Sequence, residues 1–171
     1  KGKAHLREDA KVSYDDAVNA FRQALELAKG RSMPKASAGL VEALSRQALL
    51  EEERGPTAEL VRHADLAITK DPDSPGGYRA KAYVALLEGD TKRADEEIAR
   101  ALYRNDRDAS TYVLRGTLYL KDKSRSDEAV TAFRQALAID SELPRGNYLL
   151  AKLLVLQGKI GEAKPYAKQA M

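Results

Sequence analysis

Few residues in this chain have the type and spacing to do chemistry. The two histidines, His5 and His63, lie far apart, and neither has a second ligand at metal-binding spacing. Ser32-Met33-Pro34-Lys35 matches the Ser-x-x-Lys pattern of acylating serine enzymes. That chemistry needs Ser and Lys on one helical turn, together with S-D-N and K-T-G elements that are absent here. Pro34, standing between the two, marks a helix start. The acidic runs Glu51-Glu52-Glu53 and Asp95-Glu96-Glu97 cannot converge on one cation, because consecutive helical residues point about 100° apart. Gly158 and Gly161 flank a helix turn, where glycine is a stop signal, and do not form a phosphate-binding loop. The sequence therefore reads as non-enzymatic, with no cofactor and no metal site.

Composition narrows the elements that must carry any other function. The chain has 171 residues, no cysteine and no tryptophan, so it depends on packing and offers no thiolate chemistry. Its 29 bases against 26 acids leave a net charge of +3, a mixed solvated surface without the footprint of a polyanion binder. No apolar run reaches the roughly 20 residues of a membrane helix, and the opening KGKAHLRED has no signal-peptide core. This composition suits cytoplasm and periplasm alike. Ala, Leu, Glu, Lys and Arg dominate, which predicts an all-α fold.

Residues 15–27, DDAVNAFRQALEL, return 112 positions later as DEAVTAFRQALAI. Small residues extend that echo into a register. Ala48, Ala82, Gly116 and Ala151 are separated by 34, 34 and 35 residues. Leu60, Ala94, Ala129 and Ala163 follow at 34, 35 and 34, and Ala67, Ala101, Ala136 and Ala170 repeat those steps. Ala17 and Ala24 open the last two series 43 residues ahead, so nine extra residues lie between the first and second units. They either lengthen the helix opened by Pro34, to about Glu53, or form a loop around Gly30.

Each unit reads as a helical hairpin. In the fourth, Asp108 is placed to cap a helix over about 109–121, KDKSRS turns, and Ser126 is placed to cap a second helix to about 139. Tyr112, Gly116 and Tyr119 share one face of the first helix, and Ala129, Phe133 and Ala136 one face of the second. Gly116 and Ala129 allow close approach, with Phe133 filling the groove beside them.

The pattern Tyr112-x3-Gly116-x2-Tyr119 followed by Ala129-x3-Phe133-x2-Ala136 resembles the tetratricopeptide repeat, a helix-turn-helix unit of 34 residues. Tyr112 and Tyr78 stand where that family often has Trp. Pro72 matches its terminal proline, and Tyr14 its aromatic before the second helix. Leu60, Arg115 and Lys81 depart from the pattern, and the fourth unit has one extra turn residue. The resemblance spans essentially the whole chain in about four and a half units: 1–29 (partial), 34–72, 74–106, 108–141 and 143–171. It implies a right-handed α-solenoid of antiparallel hairpins forming a single array. The first helix of the opening unit is expected to be a stub, and the sequence to be a piece of a longer array.

In this family the first helices line a concave surface that holds a peptide or helix of another protein. Helix geometry places the candidates one residue past each packing stripe. They are Arg79, Tyr83 and Leu86 in the third unit, Val113, Thr117 and Leu120 in the fourth, and Arg145, Tyr148, Lys152 and Val155 in the fifth. In the second unit the stripe is Ser45, Leu49 and Glu52. Such a floor suits a segment with apolar anchors and some acid. The carboxylate clamp of chaperone-binding members is not assembled, because Tyr83 and Leu114 occupy its polar slots. The alternative function is a homo-oligomer docking through the array ends, sensitive to charges at Leu153 or Tyr166. RNA binding, by likeness to pentatricopeptide hairpins, would need a basic groove. The reading therefore implies a protein partner, no nucleic acid and no membrane insertion.

Overall fold

A computed structural model describes the backbone of residues 2–51 and 57–170 and the side chains of 14–49 and 57–170. Among the described residues the chain is all-α, built from antiparallel helical hairpins of solenoid type, and divides into two compact units, Lys1–Arg104 and Asn105–Met171.

The first unit contains α1 (Gly2–Leu27), α2 (Pro34–Glu51), α3 (Ala58–Lys70), α4 (Pro75–Glu88) and α5 (Thr91–Arg104). Helix boundaries follow local chemistry. Pro75 occupies the first turn of α4, and the hydroxyl of Ser74 accepts from Gly76 N at 3.3 Å. Thr57 does the same for Leu60 N at α3. Gly89, at φ 79°, ends α4 in the left-handed conformation that costs glycine little. α2 packs against α1, α3 and α4, while α5 closes on α4. The core joins Val41 and Ala48 of α2, Leu60, Ala64 and Ala67 of α3, and Ala80, Val84 and Leu87 of α4. Its alanines include register residues of the repeat, which keep the helix axes close.

The opening helix differs from expectation. α1 runs without a break from Gly2 to Leu27, where a stub, a turn and a second helix were expected. Tyr14 thus lies inside a helix. Phe21 faces α2, where a methyl on Gly39 would sit 2.4 Å from its ring. Val18 joins Leu40 and Ala43 in the same small cluster. Of the two uses foreseen for the nine additional residues, Lys29 and Gly30 make a left-handed turn, and α2 runs from Pro34 to Glu51, the expected end at Glu53 lying outside the described residues.

The second unit contains α6 (Ala109–Tyr119), a 3-10 turn (Lys123–Arg125), α7 (Ser126–Ile139), α8 (Pro144–Leu156) and α9 (Ile160–Gln169). Phe133 of α7 lies over Gly116 of α6, where a methyl would meet its ring at 2.5 Å. Val113, Ala129, Phe133, Ala136, Leu150, Leu154 and Ala163 continue that core, flanked by Tyr112 and Tyr119. Two expected caps are replaced. The Asp108 carboxylate accepts from the Thr111 hydroxyl at 2.6 Å and makes no capping bond to a backbone N–H. Ser126 accepts from Gln157 Nε2 at 2.9 Å, while Asp122 caps the 3-10 turn through Ser124 N. Leu153 is buried in the core and Tyr166 packs against it, so charges there would test folding before any end-to-end docking.

Candidate functional site

In each unit the candidate residues lie on the first helices of its hairpins: α2 and α4 in one unit, α6 and α8 in the other. In the first unit these residues form a polar network. Glu42, near the middle of α2, takes Arg46 of its own helix through one carboxylate oxygen and Arg79 Nε of α4 through the other at 3.1 Å. Arg46 Nε donates to Tyr83 Oη at 3.0 Å, and its guanidinium lies 5.9 Å from that ring's centre. Burial alone would lower the pKa of Arg46. The Tyr83 hydroxyl and the Glu42 carboxylate outweigh it and hold the value above the ordinary arginine range. Two guanidiniums thus share one carboxylate in a half-buried setting.

Tyr83 and Leu86 are only 1 % and 4 % exposed, and Arg79 is half-buried against Glu42. Ser45 is buried and Leu49 packs on the core, while Glu52 lies outside the described residues. In the second unit Val113 is buried, and Thr117 is half-buried with its hydroxyl donating to Val113 O at 2.8 Å. Arg145 is half-buried. The remaining candidates meet solvent: Leu120 at 37 %, Tyr148 at 44 %, and Lys152. Sequence reasoning passed over Glu42 and Arg46, whose i, i+4 spacing was the available signal. It also passed over Leu156 and Ile160, at the end of α8 and the start of α9.

Of the residues with possible catalytic meaning, His63, in α3, lies buried in the packing. Arg62 Nη2 donates to its Nε2 at 3.3 Å, so Nδ1 carries the proton and faces Ser37 Oγ at 3.4 Å. Burial first, and the neighbouring Arg62 second, lower its pKa below the usual histidine value. His5 lies in α1, outside the described side chains. Ser32 sits in the connection before α2 and Lys35 in the helix itself, so the two do not share a helical turn. Among the described residues no group of three His, Asp or Glu is placed to hold a metal, and no helix is long and apolar enough to cross a membrane.

The sequence model of the tetratricopeptide repeat matches residues 109–143, which span α6 and α7. No curated protein sequence matches the chain. Among solved structures, a thermophilic TPR protein, TTC0263 of Thermus thermophilus, superposes with a TM-score of 0.68 at 22 % identity, covering 98 % of this chain and 87 % of that one. MamA of Desulfovibrio magneticus RS-1 superposes at 0.54 and 18 % identity, covering 100 % and 94 %. YrrB, described as a TPR protein with an unusual peptide-binding site, does so at 0.50 and 19 % identity, covering 90 % and 74 %. At these identities the likeness is one of fold. With a matched repeat at 109–143, neighbours of the same fold and hairpins recurring every 34–35 residues, residues 109–143 form a tetratricopeptide repeat and the chain has the fold of tetratricopeptide repeat proteins.

Proposed function

We propose that this protein is a non-catalytic interaction scaffold that binds a peptide or helix of a partner protein along its first helices. One observation carries the reading. Leu120 at the C-cap of α6 and Val155 on α8 are repeat-equivalent, exposed apolar positions, and α8 adds Tyr148 and Lys152 to the same stripe. In stacked hairpins, equivalent positions share a face. An exposed tyrosine and aliphatic side chains beside a lysine suit a segment with apolar anchors and acidic residues. The peptide-binding site ascribed to YrrB is a precedent on the same fold. The Glu42–Arg46–Arg79–Tyr83 network supports the reading differently, by tying α2 to α4 in the first unit.

The test is affinity capture followed by mass spectrometry, comparing the native chain with Leu120→Glu/Tyr148→Glu after matching their helicity. Both side chains are exposed enough to be replaced without opening the core. A partner retained by the native chain and lost by the variant supports the first-helix surface. Equal capture by both would overturn it.

A further inference from the structure

The hairpins α4–α5 and α8–α9 are built to the same template 69 residues apart. Pro75 pairs with Pro144, Gly77 with Gly146, Ala82 with Ala151, Gly89 with Gly158 and Ala94 with Ala163. Their turns share one backbone geometry. Gly89 and Gly158 have φ of 79° and 75°, Asp90 N bonds Ala85 O at 2.9 Å, and Lys159 N bonds Leu154 O at 2.8 Å. Side-chain chemistry around the second turn is different. Asp90 caps α5 by accepting from Arg93 N at 2.9 Å, whereas Lys159, its counterpart, makes no capping bond and puts a cation at a helix N-terminus. Leu87 is 7 % exposed and its counterpart Leu156 75 %; Leu86 at 4 % corresponds to Val155 at 52 %, and the first residue of α9 is Ile160 at 59 %. Folding asks for none of these substitutions, and a local departure from folding preference is what a functional site produces.

Charge distinguishes the region further. Residues 144–170 carry five bases, Arg145, Lys152, Lys159, Lys164 and Lys168, and one acid, Glu162. That acid is paired with Arg134 of α7 at 2.8 Å. Lys152 precedes Leu156 by one helical turn on α8, and Lys164 follows Ile160 by one turn on α9, so each exposed aliphatic side chain has a lysine beside it.

We propose that Val155, Leu156 and Ile160, bordered by Lys152, Lys159 and Lys164, form a docking surface for an acidic amphipathic helix of a partner protein. This deepens the scaffold reading and rests on it. From Tyr148 to Leu156 the exposed stripe follows α8 for about 12 Å, more than two turns. A stripe of that length matches the i, i+4, i+7 anchors of a helix, and its lysines match acids along the flanks of that helix. A cationic border also steers an acidic partner and discriminates against basic ones.

The probe is a fluorescein-labelled 15-residue helical peptide with leucines on one face and glutamates on its flanks, compared with its lysine-flanked twin. Anisotropy titrations use the native chain, Lys152→Glu/Lys159→Glu and Leu156→Ser, all checked for native helicity. The proposal expects the native chain to bind the acidic peptide at least tenfold tighter than the basic one. It expects the charge-reversed variant to invert that order, and Leu156→Ser to weaken binding severalfold. Absence of acidic-peptide binding overturns the proposal, as does binding indifferent to all these substitutions. If binding survives them but is lost in Leu120→Glu/Tyr148→Glu, the docking surface fails while the scaffold reading stands. Sedimentation of the native chain alone, and with vesicles containing phosphatidylserine, covers the other occupants. Self-association or vesicle binding abolished by Leu156→Ser, without peptide binding, assigns the surface to a second copy or to a lipid surface and overturns the proposal.

Discussion

The α4–α5 and α8–α9 hairpins share prolines, glycines, alanines and turn geometry, yet one is closed and the other open. Along α4, nine residues are buried, among them Tyr83, Leu86 and Leu87. Along α8, the counterparts of those three are Lys152, Val155 and Leu156, all exposed. The first helix of a repeat can thus present either a braced interior or a wet surface without changing its backbone. What is held constant is the small-residue stripe that sets how near the second helix comes. What varies is the adjoining stripe, whose burial depends on what lies across from it.

Four experiments would break or sharpen this comparison. The largest effect is expected from paired truncations. Leu87→Ala should destabilise the protein by about 2–5 kcal/mol, because it leaves a cavity in the α2–α3–α4 core. Leu156→Ala should stay within about 0.5 kcal/mol. Urea denaturation of both variants checks this, and equal losses would erase the distinction between the hairpins. Next in size is Tyr83→Phe, which removes the acceptor of Arg46 and should cost about 1–2 kcal/mol in the same measurement. Lys152→Ala, at the matching position, should be near neutral.

The caps offer a reciprocal pair. Asp90→Ala should lose about 1 kcal/mol, and Lys159→Asp should gain a similar amount by supplying the missing cap. A gain in stability accompanied by loss of acidic-peptide binding would show that Lys159 is kept at a cost to folding. The smallest effect is a pH dependence that differs between units. His63 has a folded pKa below its unfolded value of about 6.5, so protonation favours unfolding. Its contribution is therefore fully present above that value and is lost as pH falls from there through the depressed folded pKa. His63→Gln should flatten that slope in thermal melts. In the second unit, hydrogen bonds from Ser124 to Asp122, and from Arg125 to Glu128, lower the pKa of each carboxylate. Stability from those two groups is present above the unfolded carboxylate pKa of about 4 and is lost only at more acid pH.

Much of the architecture was legible before any coordinates, and particular residues show why. Proline and glycine punctuate helices through covalent geometry, so Pro34 and Gly158 marked boundaries. The 34–35-residue spacing of small side chains identified the hairpins, because only small residues allow helices so near. The twin stretches 15–27 and 127–139 were both readable as helix. Of their partners only one was: Phe133 lies over Gly116, earlier in the chain, as the spacing implied, while Phe21 lies over Gly39, later in it, which no spacing signalled. The same local sequence thus serves two settings, a phenyl ring filling the groove over a glycine in each. The candidate surface was legible only as a stripe. Tyr83 looked like a binding residue until Arg46 and Glu42 were seen to enclose it.

Local chemistry in the sequence thus determined the helices, their hairpin pairing, the repeat and the absence of recognised catalytic motifs, since each depends on near neighbours in the chain. Only the tertiary structure decided that α1 is continuous, that Tyr83 and Leu86 are interior, and that Leu156 and Ile160 face water. Burial is a property of what packs across from a side chain, and here that partner is often a full repeat away, as Arg46 is 37 residues from Tyr83.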